Sequence, residues 1–116
     1  MHDTRELDEA VNRLADRLRA APQSRLRQGA AAEGLALARE LAERAQRLEG
    51  AGPAKPRVMP DAGVFAVGDQ LAVAGADLAE ALREAARRGG APGEALDAES
   101  AGALASVRAT AARIGL

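Results

Sequence analysis

Few side chains of this chain could carry acid–base or nucleophilic chemistry. Its 116 residues include one histidine, His2, and no cysteine. A Cys–His pair is therefore excluded, and a Ser–His–Asp triad would depend on that one histidine. His2 stands near the start of the sequence, where we expect a solvated tail. The Glu-x-x-His motif of ferritin-like metal bundles does not occur. We therefore expect no catalytic residue and no enzyme activity.

Carboxylates are the remaining candidates for a metal site. Asp69, Asp77 and Glu80 stand close together in the sequence, and carboxylate oxygens are ligands that Mg²⁺ and Ca²⁺ prefer. On a helix, however, Asp69 and Asp77 would be about 80° apart around the axis and about 12 Å apart along it. They cannot easily share one ion. We therefore expect solvated acidic side chains, no bound metal and no other cofactor.

The stretch GAGPAK at positions 50–55 has glycines and a lysine, as phosphate-binding loops do. It lacks the second glycine at the required spacing, the Lys-Ser/Thr pair and a preceding strand. We therefore interpret it as part of a linker.

Composition argues against nucleic acids and membranes as partners. Sixteen basic and seventeen acidic residues give a net charge of −1, so no large positive field attracts a phosphate backbone. One phenylalanine, with no tyrosine or tryptophan, leaves almost no platform for base stacking. The longest uncharged apolar runs fall far short of the roughly 20 residues that a membrane-spanning helix needs.

The N-terminal stretch MHDTRELDEA is acidic, has no apolar run and does not look like a signal peptide. We therefore expect a cytoplasmic protein. The abundance of alanine, glycine and arginine is typical of a GC-rich bacterial genome, so the arginines by themselves indicate no special chemistry.

Apolar residues recur at helical spacing through most of the chain. Leu7, Val11, Leu14 and Leu18 mark the first helix, and Pro22 ends it. Three prolines and three glycines within residues 50–63 forbid regular structure there. The pattern predicts four helices and one linker, with the helices at about 3–21, 24–49, 62–88 and 95–115 and the linker at 50–61.

The third predicted helix has a competing interpretation as a β-hairpin. The residues VFAVGDQLAVA, from Val64 to Ala74, alternate as two short strands around a polar turn would. Gly-Asp-Gln is a weak hairpin turn, because Asn-Gly or Asp-Gly is the usual signal. The helical spacing continues beyond this stretch to Leu82 and Ala85, so we predict one helix.

Four helices of this length predict an all-α fold, a four-helix bundle with antiparallel up-down-up-down topology and a long Pro/Gly-rich link between the second and third helices. The link could instead cross the end of the bundle, and the spacing does not decide between the two. The whole chain of 116 residues is expected to form one domain.

A stripe of small, uncharged residues lies beside the core stripe of the third helix. Glycine inside a helix is less favourable than alanine by about 1 kcal/mol, so close approach of another backbone should offset it. We predict a candidate association surface at Phe65, Gly68, Ala72, Gly75, Ala76 and Ala79.

Three occupants of this stripe stay open at this point. The second helix could pack on it within the chain, or a second copy could form a homodimer with Phe65 as the anchor. The stripe could also be a groove for a ligand or for the helix of a partner protein. We expect a non-catalytic helical protein that acts by self-association or protein–protein interaction. The alternative is a small-molecule carrier or sensor with an apolar pocket among the helices.

Overall fold

The computed structural model describes residues 3–50, 57–89 and 92–115. His2 and most of the GAGPAK stretch lie outside these residues. The described part of the chain contains four long helices and no strand. They are α1 (Arg5–Ala20), α2 (Ala31–Glu49), α3 (Val67–Arg88) and α4 (Gly93–Ile114). The predicted all-α fold with four packed helices is confirmed. Since Val67–Arg88 is one helix, the hairpin interpretation is wrong.

The helix predicted at 24–49 is interrupted near its start. Gln23–Arg25 forms a single helical turn, and Leu26–Ala30 forms a wider π-type turn before α2 begins. Within that turn Gly29 has φ 128° and ψ −19°, a conformation that side chains with a Cβ rarely adopt. Gly29 therefore bends the chain, whereas the sequence prediction placed it inside a straight helix.

The helix predicted at 62–88 also begins later than expected. A 3-10 turn, Val64–Ala66, precedes α3, and Gly63 ahead of it has φ 96°. Because Gly63 has a positive φ, which residues of a right-handed helix do not have, the helix cannot include Gly63.

The core lies where the apolar stripes of the four helices meet. The stripe of α1 is buried at Leu7, Val11, Leu14 and Leu18, as its spacing predicts. The other helices contribute the remaining large buried side chains, among them Leu41, Leu71, Leu78, Leu82 and Val107. Burying one such side chain stabilises the fold by about 1.5–3 kcal/mol, so these stripes hold the helices together.

Helices α2 and α3 run in the same direction. A Cβ placed on Gly34, near the start of α2, would lie 2.7 Å from Cγ1 of Val67, at the start of α3. At the other end, Arg88 Nη2 donates a hydrogen bond to the carbonyl of Leu48 at 3.2 Å. The up-down-up-down prediction therefore fails between these two helices.

Helices α1 and α4 both run opposite to this pair. Arg83, late in α3, donates to Oγ1 of Thr4, just before α1, at 2.9 Å. Arg113, late in α4, pairs with Glu33, early in α2, at 3.2 Å. The four helices therefore run up, down, down and up.

The described part of the link explains this topology, because it runs back along α2. The Gln46 amide accepts from Arg57 N and donates to Arg57 O, both at 2.9 Å. Two turns earlier on α2, Arg39 Nε donates to the carbonyl of Met59 at 2.8 Å. The chain therefore returns to the end of the bundle where α2 began, and α3 starts there.

Candidate functional site on helix α3

The residues predicted as an association surface divide into a buried group and an exposed group. Gly68, Gly75 and Ala79 are buried within the chain. Phe65 and Ala76 are exposed. The sixth, Ala72, is half-buried. The stripe is therefore not one continuous free surface.

The buried glycines face α1. A Cβ on Gly68 would lie 2.9 Å from the backbone oxygen of Ala15, and a Cβ on Gly75 would lie 2.5 Å from Cγ1 of Val11. These separations are shorter than ordinary contacts between heavy atoms, which begin near 3.5 Å. Glycine thus lets α1 lie unusually close to α3. The alternative in which the second helix packs on this stripe therefore does not hold at these two glycines, because α2 meets α3 along the side marked by Val67.

The exposed group belongs to a second surface of α3, turned away from the bundle. Its large apolar members are Phe65, 68% exposed, and Val73, 57% exposed. Ala76 is about 60° around the helix from Val73, and Phe65 stands just ahead of the helix, in the 3-10 turn Val64–Ala66. We call this surface the outward face; it comprises Phe65, Asp69, Ala72, Val73, Ala76, Glu80, Arg83 and Arg87.

Charge is distributed unevenly along the outward face. Near its N-terminal end, Arg19 Nε of α1 donates to Asp69 Oδ1 at 2.7 Å, and this bond raises the pKa of Arg19. Near its C-terminal end, Glu80 accepts hydrogen bonds from Arg87 at 3.0 Å and Arg83 at 3.1 Å, which lower the pKa of Glu80. Both ends of the face therefore carry paired charges: Asp69 with Arg19 at one end, and Arg83 and Arg87 with Glu80 at the other, where Arg87 also pairs with Glu84.

The least exposed ion pairs lie elsewhere, between α2 and α4. Arg44, with its side chain 18% exposed, donates to Glu99 at 2.8 Å and to Glu40 at 3.0 Å. Burial lowers the pKa of Arg44, but the hydrogen bonds to Glu99 and Glu40 outweigh it and raise the pKa. Gly102 leaves room for this guanidinium, since a Cβ there would lie 3.1 Å from Arg44 Nη1. Because Arg44 is hydrogen-bonded to both Glu99 and Glu40, this cluster holds α4 against α2.

Two clefts flank the bend at Gly29, and the sequence prediction missed both. The first has a volume of about 480 Å³ and contains the Arg113–Glu33 pair, so we call it the Arg113 cleft. The second has a volume of about 250 Å³, and we call it the Leu35 cleft. Its apolar lining includes Leu26, Ala31, Leu35, Val64 and Val67. The only sequence signal for the bend is a glycine where alanine would favour the helix.

The described residues hold no group of three or more His, Cys, Asp or Glu side chains placed to bind a metal ion. Nor does any described helix combine the length and apolar character needed to cross a membrane. Comparison with models of protein families, with curated proteins and with solved structures finds no match to this chain. Function must therefore be inferred from the surface of the molecule itself.

Proposed function

We propose that this protein is non-catalytic and acts by association, and that the outward face of α3 joins it to a second copy of itself. The observation that carries the proposal is the exposure of two large apolar side chains, Val73 on α3 and Phe65 in the turn just ahead of it. Among the described residues only Val58, in the link, is a comparably exposed large apolar side chain. A cytoplasmic location, expected from the sequence, is part of the same proposal.

The size of the face sets the strength of the association that we propose. Burying a whole phenylalanine side chain is favourable by about 1.5–3 kcal/mol, and about two-thirds of Phe65 remains exposed. Two copies of Phe65 would therefore contribute about 2–4 kcal/mol to a symmetric dimer. Association costs at least about 4 kcal/mol in lost translational and rotational freedom. Val73, Ala76 and the flanking groups must supply the remainder, so the proposed dimer is weak.

Geometry supports the same estimate. Helix α3 has 22 residues and is about 33 Å long, and a helix face is about 10 Å wide. A pair of such faces buries less than the roughly 1,200–2,000 Å² of a stable interface. We therefore expect a transient dimer with a dissociation constant of about 0.1 mM or weaker.

Light scattering during size exclusion tests the proposal, with loading concentration varied. The wild-type mass should rise above the monomer value of 11.9 kDa as concentration increases. Phe65→Glu should hold the mass at the monomer value, because it replaces the largest exposed apolar side chain of the face with a charge that would be desolvated in the contact. The matched control is Val58→Glu, since Val58 is 70% exposed but lies in the link. Equal loss of association in both variants, with unchanged helical circular dichroism, would refute the assignment to the outward face.

A second candidate function, small-molecule binding, is favoured by the Leu35 cleft. Its lining is largely apolar, with Arg27 and Asp61 among the polar residues at its edge. Thermal-shift measurements with small aromatic and aliphatic compounds would test it, because a ligand that binds only the folded state raises Tm. Ala32→Phe, which adds a ring to the cleft lining, should abolish any such shift. A shift that persists in Ala32→Phe would mean that the compound binds elsewhere.

A further inference from the structure

We propose that residues 57–63, which we call the strap, open as a unit while the four helices stay folded, and that this opening gates the Leu35 cleft. The opening itself needs neither a second copy of the chain nor a ligand. Its use as a gate rests on the small-molecule function proposed for the cleft. Three observations carry the inference: how the strap is held, where it can pivot, and which part of the cleft it lines.

Side chains of α2, and not its backbone, hold the first half of the strap. The Gln46 amide bonds to both the N–H and the carbonyl of Arg57, at 2.9 Å each, and Arg39 Nε donates to the carbonyl of Met59 at 2.8 Å. Within the described part of the chain, no backbone–backbone hydrogen bond joins residues 57–62 to a helix. The strap can therefore detach without breaking the backbone hydrogen bonds of any helix.

The attachment of the strap to α3 is weakened by an unpaired oxygen. Gln70 Nε2 donates to the carbonyl of Pro60 at 2.9 Å, so the strap lies across the parallel helices α2 and α3. The Oε1 atom of the same amide is buried and accepts no hydrogen bond from the described residues. Burial of an unpaired acceptor is unfavourable, and it offsets part of the stabilisation from the bond to Pro60.

Few side chains of the strap are buried. Val58 is 70% exposed, and only Met59 among residues 57–63 is half-buried against the core. Helices α2 and α3, by contrast, are held by fully buried side chains such as Leu41 and Leu71. Segments with few buried apolar contacts and solvent-exposed hydrogen bonds open at a far smaller free energy than the whole domain. We therefore expect the strap to open many times for each global unfolding event.

Gly63 provides the pivot at the C-terminal end of the strap. It has φ 96°, and a Cβ placed on it would meet nothing within 4 Å. Its N–H donates to Asp61 Oδ1 at 2.9 Å, a bond within the strap that can move with it. A glycine in open surroundings changes its backbone angles at little steric cost. The strap can therefore swing at Gly63 while the 3-10 turn and α3 that follow stay in place.

The strap forms part of the lining of the Leu35 cleft. Asp61 and Gly63 line it together with Ala31 and Leu35 of α2, which are 6% and 7% exposed. Opening of the strap removes its part of the lining and admits solvent or a ligand to the α2 part. A small apolar ligand that contacts both parts binds the closed strap better than the open one, so it must shift the equilibrium towards closure.

Thiol labelling measures the opening without any ligand. The chain has no cysteine, so Ala31→Cys introduces the only thiol, in the lining of the cleft. Arg39→Ala removes one attachment of the strap and leaves a residue that favours the helix. Because the net contribution of one hydrogen bond corresponds to about a two- to tenfold change in an equilibrium constant, Arg39→Ala should raise the rate of labelling by iodoacetamide at position 31 about two- to tenfold.

Two controls separate strap opening from a general loosening of the fold. Ala81→Cys places the thiol on α3, at a residue that is 7% exposed and does not line the Leu35 cleft. Its labelling should be slower than at position 31 and unchanged by Arg39→Ala. Arg13→Ala, at an exposed arginine of α1, should leave labelling at position 31 unchanged.

Hydrogen exchange tests whether the strap opens as one unit, in the chain without an added thiol. The Arg57 amide is bonded to Gln46, which Arg39→Ala leaves in place. A strap that opens as a unit should nevertheless exchange the Arg57 amide faster in Arg39→Ala, by about the same factor as the labelling at position 31.

The possible results decide the inference separately from the proposed functions. Faster exchange at Arg57 together with faster labelling at position 31, and none at position 81, supports it. Unchanged exchange at Arg57, or faster exchange without faster labelling at position 31, would overturn it. A thermal-shift screen without a hit would count against the small-molecule function and would leave both rates as predicted, so the two failures are distinguishable.

Discussion

The contact between α1 and α3 at Gly75 allows one substitution to be worked out in detail. A methyl group added by Gly75→Ala would lie 2.5, 3.1 and 3.2 Å from Cγ1, Cγ2 and Cβ of Val11. Ordinary carbon contacts are about 3.5–4.0 Å, so the nearest pair must separate by about 1 Å. Val11 cannot readily turn aside, because a β-branched side chain in a helix strongly prefers one rotamer.

Two opposing free energies decide the effect of Gly75→Ala on unfolding. Alanine is favoured over glycine inside a helix by about 1 kcal/mol. Overpacking a tight core contact costs about 1–3 kcal/mol, and three close contacts with a stiff neighbour place this case at the upper end. We expect a net destabilisation of about 1–2 kcal/mol. Val11→Ala alone should also destabilise the protein, because it leaves a cavity.

The double variant Gly75→Ala, Val11→Ala distinguishes a clash from a general loss of fold. Removing both Cγ atoms of Val11 makes room for the new methyl group, so the double variant should be at least 1 kcal/mol more stable than the sum of the single effects predicts, within the roughly 0.5–3 kcal/mol range of coupled neighbours. Urea denaturation followed by circular dichroism measures all four proteins. Gly93→Ala is the control, since a Cβ there meets nothing within 4 Å. Strictly additive effects, or a stabilised Gly75→Ala, would refute the close approach of α1.

Two further predictions concern stability. Gly29→Ala should lower the free energy of unfolding by about 1–3 kcal/mol, although a Cβ there meets nothing within 4 Å, because φ 128° strains a residue with a side chain; an unchanged urea midpoint would contradict this. A double-mutant cycle for Arg44 and Glu99, whose side chains are 18% and 26% exposed, should give a coupling of about 1–2 kcal/mol. The exposed pair Arg108–Glu6 should give less than about 0.5 kcal/mol, and equal couplings would refute the role of burial.

The hydrophobic pattern predicts the four helices because each helix must bury one apolar stripe. The pattern does not predict the bend at Gly29, since an isolated glycine is compatible with both a continuous and an interrupted helix. Nor does it predict the direction of α3. The predicted link of 12 residues, 50–61, can extend to about 40 Å, whereas α2 is about 28 Å long, so the link can either turn or run back along the helix. Hydrogen bonds from Gln46 and Arg39 to the link decide in favour of the second path.

The candidate surface was predictable only in part, for a similar reason. Small residues at Gly68 and Gly75 indicate that a neighbour comes close, but they do not identify that neighbour, because the first and second helices both carry suitable apolar stripes. Phe65 was grouped with these glycines by its position around the helix. It lies ahead of α3 in a 3-10 turn and points to solvent, so the buried stripe and the outward face are separate surfaces.

The central claim, that the outward face joins two copies of the chain, is tested most directly by sedimentation equilibrium of the unmodified protein from about 10 μM to about 1 mM. We predict a weight-average mass that rises from 11.9 kDa towards twice that value, with a half-point at about 0.1 mM or above. A mass that stays at 11.9 kDa across the whole range would contradict the claim.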